Sequence, residues 1–345
     1  MVNAVEEAVL QEWIYSSRLL FVSVVFVCFL TLPLLPFCLF SLRKHRKSQY
    51  YACLVAIIIG NFVLLSTICA TVFIETFTTL AMILHGSLMC KLSGYIVDAS
   101  SCFIHWTYVV MYIQRCVYVF CPMRSRRNRK YLHGYWSILC VLAFSLLTQI
   151  WTPLLITKLT VSSDESEGAY CGVDPGFNGA TLQTIVVIES IATFFIPFIL
   201  TVITDISVLI LRNPCQTEFA LIAAETITVD HKKQTPTYMK IVSQKNINDS
   251  EHRRTLAIRR CLLMATINLL LNLPNYSLRI IDEFIHLQSR GGHHARIFLW
   301  ADAIAYILYL LQFPLLPLYI YFLRADLNRG SSSRYRQASQ IISTT

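Results

Sequence analysis

Charge is what this sequence has least of. Lys, Arg, Asp and Glu make up 14% of its 345 residues, against about 25% in soluble globular domains, while 55% are hydrophobic. A chain so composed cannot cover a water-exposed surface, which excludes an ordinary soluble fold. Acid is scarcer than base, 20 residues against 29. Glycine and proline, 11 each, are too few for a collagen-like or low-complexity chain. No CxxC pair is present, and no cysteine–histidine spacing reads as a metal site; His293 and His294 are neighbours in sequence without further ligands at a suitable spacing. Phosphate loops and activated nucleophiles are missing as well. No enzyme activity, cofactor or metal is therefore expected.

What the sequence does have is apolar length. About 20 residues of helix cross a bilayer, and runs of that size recur at about 18–42, 51–74, 88–113, 134–157, 181–211, 256–281 and 297–323. The expected fold is an all-α membrane protein, a bundle of seven transmembrane helices. The sixth run is the most polar, diluted by Asn268, Asn272, Pro274, Asn275 and Arg279, so six spans remain open. At the N-terminus, Glu6, Glu7 and Glu12 stand where a secretory signal carries basic residues, and the first run is expected to be an uncleaved anchor.

Loop charges orient the bundle, because Lys and Arg in short loops stay cytoplasmic. Arg43, Lys44, Arg46 and Lys47 fill the first loop; Arg124, Arg126, Arg127, Arg129 and Lys130 the third; Lys232, Lys233, Lys240, Lys245, Arg253 and Arg254 the fifth. Even-numbered loops are acidic, with Asp164, Glu165, Glu167 and Asp174 in one and Asp282 and Glu283 in another. The N-terminus is thus expected outside and the C-terminus inside. Four regions follow: an extracellular segment 1–17, a membrane domain 18–323 containing a long cytoplasmic loop 213–253, and a cytoplasmic tail 324–345. The net charge of +9 is accounted for by these loops facing anionic lipid, and no nucleic-acid partner is implied. Most of the 12 cysteines, such as Cys28, Cys38, Cys53, Cys69 and Cys140, sit singly in apolar runs as small fillers. Cys90 and Cys171 differ, since both fall on the oxidising side, where a disulfide can form.

Arg115 follows Cys90 by 25 residues, about 38 Å of helix, which is the depth of a bilayer with its interfaces. An outer cysteine and an inner arginine on span three, with a cysteine in the next outer loop, resembles the rhodopsin-like (class A) family of G protein-coupled receptors. "FFIPFILTVITDISVLILR" places Pro197, "LLLNLPNYSLRI" places Pro274 and "PLYIYFLRADLNR" places Pro317 where that family bends its helices. The resemblance covers about residues 16–330. The chain also departs from the pattern: Gln114 precedes Arg115, Cys116 follows it, Asn61 replaces the aspartate of the family's sodium site, and Asn272 stands where an aromatic is usual. A sodium site of that kind is not expected. Asp205, on the inner half of span five, is the partner expected for Arg115 at the G protein-coupling end.

Charges inside membrane helices are costly and usually mark a binding or transport path. Asp98, Glu189, Arg279 and Asp302 lie in the outer thirds of their spans, and the resemblance implies that such positions face a ligand. A structural alternative is that Arg279 pairs with Asp302 or Glu189 to fix the bundle. Acidic outer loops favour a cationic ligand by steering, a basic or amidated neuropeptide ahead of a small molecule. The resemblance further implies a heterotrimeric G protein as intracellular partner, with arrestin and kinases at the Ser- and Thr-rich tail, and a plasma-membrane location; membrane lipid is a partner of the basic loops. Two alternatives stay open, a chemosensory receptor for small molecules and, from another class, a membrane transporter or channel.

Overall fold

The computed structural model describes residues 2–43, 51–76, 87–120, 132–163, 166–174, 176, 179–204, 206–207, 266–285 and 292–342. Its elements in chain order are α1 (Val2–Thr31), α2 (Leu34–Leu42), α3 (Tyr51–Thr76), α4 (Ser87–Phe120), α5 (Leu132–Thr148), α6 (Thr152–Leu155), strands β1 (Ile156–Ser163) and β2 (Ser166–Val173), α7 (Gly179–Ser190), a π-helical turn (Ile191–Phe195), α8 (266–285) and α9 (Gly292–Ile342). After the π turn, helix resumes through residue 204.

Six stretches among the described residues are helical, long and apolar enough to cross a membrane: Gln11–Leu42, Tyr51–Ile74, Leu88–Gln114, Tyr135–Leu155, Gly179–Thr204 and Arg296–Tyr321. They coincide with six of the seven expected runs, and the chain is a multi-pass membrane protein. The remaining run is represented by α8, whose 20 described residues include Arg279, Asp282 and Glu283; positions 256–265 lie outside the described residues.

Three local features are not marked by the apolar runs. The fourth span is interrupted: α5 ends at Thr148, the chain turns at 149–151, and α6 completes the span at Leu155 before β1 begins. The segment Ile156–Val161 contains Ile, Thr and Val, whose branched side chains suit a pleated strand. Outside the membrane spans, β1 and β2 add to the helical architecture an antiparallel hairpin running in register from Ile156↔Val173 to Ser163↔Ser166. Finally, α1 already starts at Val2, and α9 runs on through Ile342.

The core lies between α1 to α4 and α9. Leu35, Ile57, Leu65 and Phe313 are fully enclosed there, with Leu64, Tyr112 and Leu310 nearly so. Gly60 permits the close approach of α3 and α4, since a Cβ on it would sit 2.9 Å from Ile104 Cγ1 and 3.2 Å from Phe103 Cδ1. Asn61 is buried nearby and uses its amide locally, donating from Nδ2 to the Ile57 carbonyl at 2.8 Å.

Candidate ligand site

One covalent link positions the candidate site. Cys90, in the first turn of α4, is bonded to Cys171 in β2, with 5.5 Å between their Cα atoms. This ties the hairpin to the rim of α4 through the two cysteines that the loop charges put on one side. At its base, the Asp174 N–H donates to the Leu155 carbonyl at 2.8 Å, closing the strands onto α6.

Eight residues below Cys90, about 12 Å along the helix, Asp98 accepts a hydrogen bond from Thr152 Oγ1 at 3.2 Å. On α7, Glu189 is buried, and Arg279 of α8 extends Nη2 to within 3.8 Å of its Oε2. Asp98, Glu189 and Arg279 each act electrostatically on the other two. Three of the four charges singled out in the sequence therefore converge from α4, α7 and α8, with two carboxylates to one guanidinium. The fourth does not join them. Asp302 is exposed on α9 and has Asp282, a like charge, as its electrostatic neighbour.

Below this cluster lies an aromatic floor. Phe194 and Tyr276 stack with centroids 4.5 Å apart and planes 4° from parallel. His105 meets both edge-on, at 5.5 and 5.8 Å, and is itself buried.

The π turn explains how α7 joins α4. Within it, the Ile196 N–H reaches back to the Ile191 carbonyl instead of to Ala192. The next residue, Pro197, has no N–H to offer. The carbonyl of Ala192 is thus left without a backbone donor, and Trp106 Nε1 on α4 donates to it at 3.2 Å. Gln149 adds a second tie from the turn after α5, donating from Nε2 to Thr193 Oγ1 at 3.0 Å. Pro197 therefore acts through the carbonyls it frees, in keeping with how proline is tolerated in membrane helices.

Between α8 and α9, Asn272 donates from Nδ2 to Gln312 Oε1 at 2.7 Å and to the Asn268 carbonyl, also at 2.7 Å. Asn272 is fully buried and Gln312 6% exposed. Pro274 follows two residues later, and Pro314 and Pro317 lie within α9.

At the opposite end of α4, Arg115 lies on the helix, but its side chain is outside the described residues, as is the whole of Asp205. Sequence reasoning passed over Thr152, Trp106 and Gln149, which looked like ordinary polar or aromatic residues at the ends of apolar runs. It also passed over Cys102 and His105, which do stand in CxxH spacing; among the described residues, however, no group of three or more His, Cys, Asp or Glu is placed to hold a metal ion.

No protein-family model matches the chain. The chain is 22% identical over 269 residues to the probable G-protein coupled receptor AH9.4 of Caenorhabditis elegans, an alignment covering 68% of this chain and 69% of that protein. This distant similarity supports a receptor of the G protein-coupled kind.

Proposed function

We propose that the chain is a divergent rhodopsin-like receptor of the plasma membrane, with α8 as the seventh crossing helix, its N-terminus outside and its C-terminus inside. Its extracellular ligand is a cationic peptide, and its intracellular partner is a heterotrimeric G protein. The observation that carries this reading is the convergence of Asp98, Glu189 and Arg279 beneath a hairpin anchored at Cys90. Ionisable groups facing the interior of a membrane bundle usually serve a ligand or transport path. Arg279 forms its ion pair with Glu189 and acts on Asp98 electrostatically; Asp98, hydrogen-bonded by one neutral hydroxyl, is the carboxylate assigned to a ligand's positive charge. The acidic residues Asp164, Glu165 and Glu167 of this outer loop raise the encounter rate with such a ligand.

Ligand binding favours one arrangement of α7, α8 and α9 over another, and the G protein favours the same arrangement from the inner side. Arg115 and Asp205 are assigned to that inner mouth, and Pro197, Pro274 and Pro317 to the bends between the two ends. Arrestin and kinases acting on the tail, and lipid at the basic loops, complete the expected partners.

The test is a screen of short amidated basic peptides on cells expressing the chain, read by second-messenger response and by membrane current, with epitope tags at both termini. A response lost in Asp98→Ala and in Glu189→Ala at unchanged surface expression supports the reading. Both termini in one compartment, or a current without any second-messenger response, overturns it.

A further inference from the structure

Between α3 and α4, on the half of the bundle nearest Cys90, a groove of about 230 Å³ is lined by residues that include Ser66, Thr67, Ala70, Thr71, Leu92 and Ser93. Its direction follows from the neighbours of α3. Leu65 and Ile68 point into the core, and Phe73 turns toward α1, where its ring lies 6.3 Å from Phe21. At 3.6 residues per turn, the stripe through residues 63, 67, 70 and 74 lies away from both. Val63, Leu92 and Met89, on or beside the groove, are 39%, 48% and 36% exposed. The groove runs along two of the membrane-crossing helices, Tyr51–Ile74 and Leu88–Gln114, and so opens onto the bilayer.

Its hydroxyls do not make it polar. Thr67 donates to the Val63 carbonyl at 2.9 Å, Thr71 to the Thr67 carbonyl at 2.9 Å and Ser93 to the Cys90 carbonyl at 3.1 Å. With these hydrogens engaged on their own helices, the groove presents mainly methyl and methylene surface. From the eight-residue stretch of α4 that lines it, its length is about 12 Å.

We infer that this groove is a seat for one acyl chain of a phospholipid from the leaflet on the Cys90 side. The surrounding solvent is hydrocarbon, and a recess there loses dispersion contacts unless something fills it. A flexible chain can follow a channel between two helices. A sterol would bring a rigid ring system that cannot follow such a channel. The inference stands on the membrane spans and is independent of any receptor role.

The full chain is reconstituted in nanodiscs of phosphatidylcholine carrying a diazirine on one acyl chain, photolysed, and mapped by mass spectrometry. Labelling of segments 66–74 and 89–96 is expected to exceed that around Leu147, an open lipid-facing position on α5, by at least about fivefold. Ala70→Trp, which fills the groove from the lipid side, should bring it down to the Leu147 level without altering labelling at Leu147. Ser93→Phe serves as the second variant, and an unchanged melting temperature verifies that each is folded. Equal labelling at the two places, labelling indifferent to both substitutions, or preferential labelling by a photoactivatable sterol in the same discs overturns the inference.

Discussion

Arg279 and Glu189 face each other across α8 and α7 with Nη2 and Oε2 3.8 Å apart, yet their surroundings differ: the arginine side chain is 43% exposed and the glutamate 7%. The pair therefore joins an enclosed carboxylate to a cation that reaches open space. Exposure screens the attraction, so a double-mutant cycle with Glu189→Gln and Arg279→Gln should return a coupling of only about 0.5–1 kcal/mol in thermal unfolding. Arg279→Gln should cost more than Glu189→Gln, because it leaves an enclosed charge without its partner. Equal costs would show that Glu189 does not depend on Arg279.

The Trp106 hydrogen bond to Ala192 gives a second expectation. Replacing Trp106 by Phe keeps an aromatic ring near Phe144, which it meets edge-on at 5.2 Å, but removes the donor from a carbonyl that neither Ile196 nor Pro197 serves. Hydrogen bonds between membrane helices are worth about 0.6 kcal/mol on average and up to about 1.7. This carbonyl has no backbone alternative, so a loss near the upper figure is expected. Restoring an N–H by Pro197→Ala should recover part of it in the double variant, read as melting temperature in detergent. No recovery would place the freed carbonyl elsewhere.

Reduction of the Cys90–Cys171 bond offers a third. The bond closes a separation of 81 residues, for which chain entropy gives roughly 4 kcal/mol of stabilisation. Cys90→Ser, Cys171→Ser and the double variant should lower the melting temperature alike, because each breaks the same link. A double variant much worse than either single would mean that the cysteines contribute separately.

These contacts also mark how far sequence alone reached. The spans were legible because bilayer thickness sets the length of an apolar run, and the Cys90–Cys171 link was legible because loop charges put both cysteines on one side. Asp98, Glu189, Arg279 and Asp302 were found together since a charge in an apolar run stands out at any orientation. Which of them meet depends on rotation about each helix axis, and that is fixed by packing, so Asp302 stayed apart. The hairpin was hidden because Ile156 and Thr157 continue the run of α5 without a break in composition. The π turn at Ile191–Phe195 is a change of hydrogen-bond register, and it leaves no mark beyond Pro197 just downstream.

Asn272 was noticed as a polar residue in the sixth run, without a partner being assigned. Its amide now joins α8 to α9 through Gln312, while its Oδ1, also buried, has no hydrogen-bond partner among the described residues. Such a contact is lopsided: removing one amide takes from the other its partner across the helix pair, at about 1 kcal/mol because Asn272 keeps the Asn268 carbonyl, whereas replacing both with apolar groups can be nearly neutral. Asn272→Leu and Gln312→Leu should each lower the melting temperature, and the double variant should lie close to the wild type rather than at the sum of the two. If the receptor reading holds, the singles should also raise ligand-independent signalling, because they loosen one helix pair of the bundle against another. Strict additivity in the melting temperatures would show that the two amides do not act as a pair, and unchanged basal signalling despite non-additive melting would limit the clasp to stability.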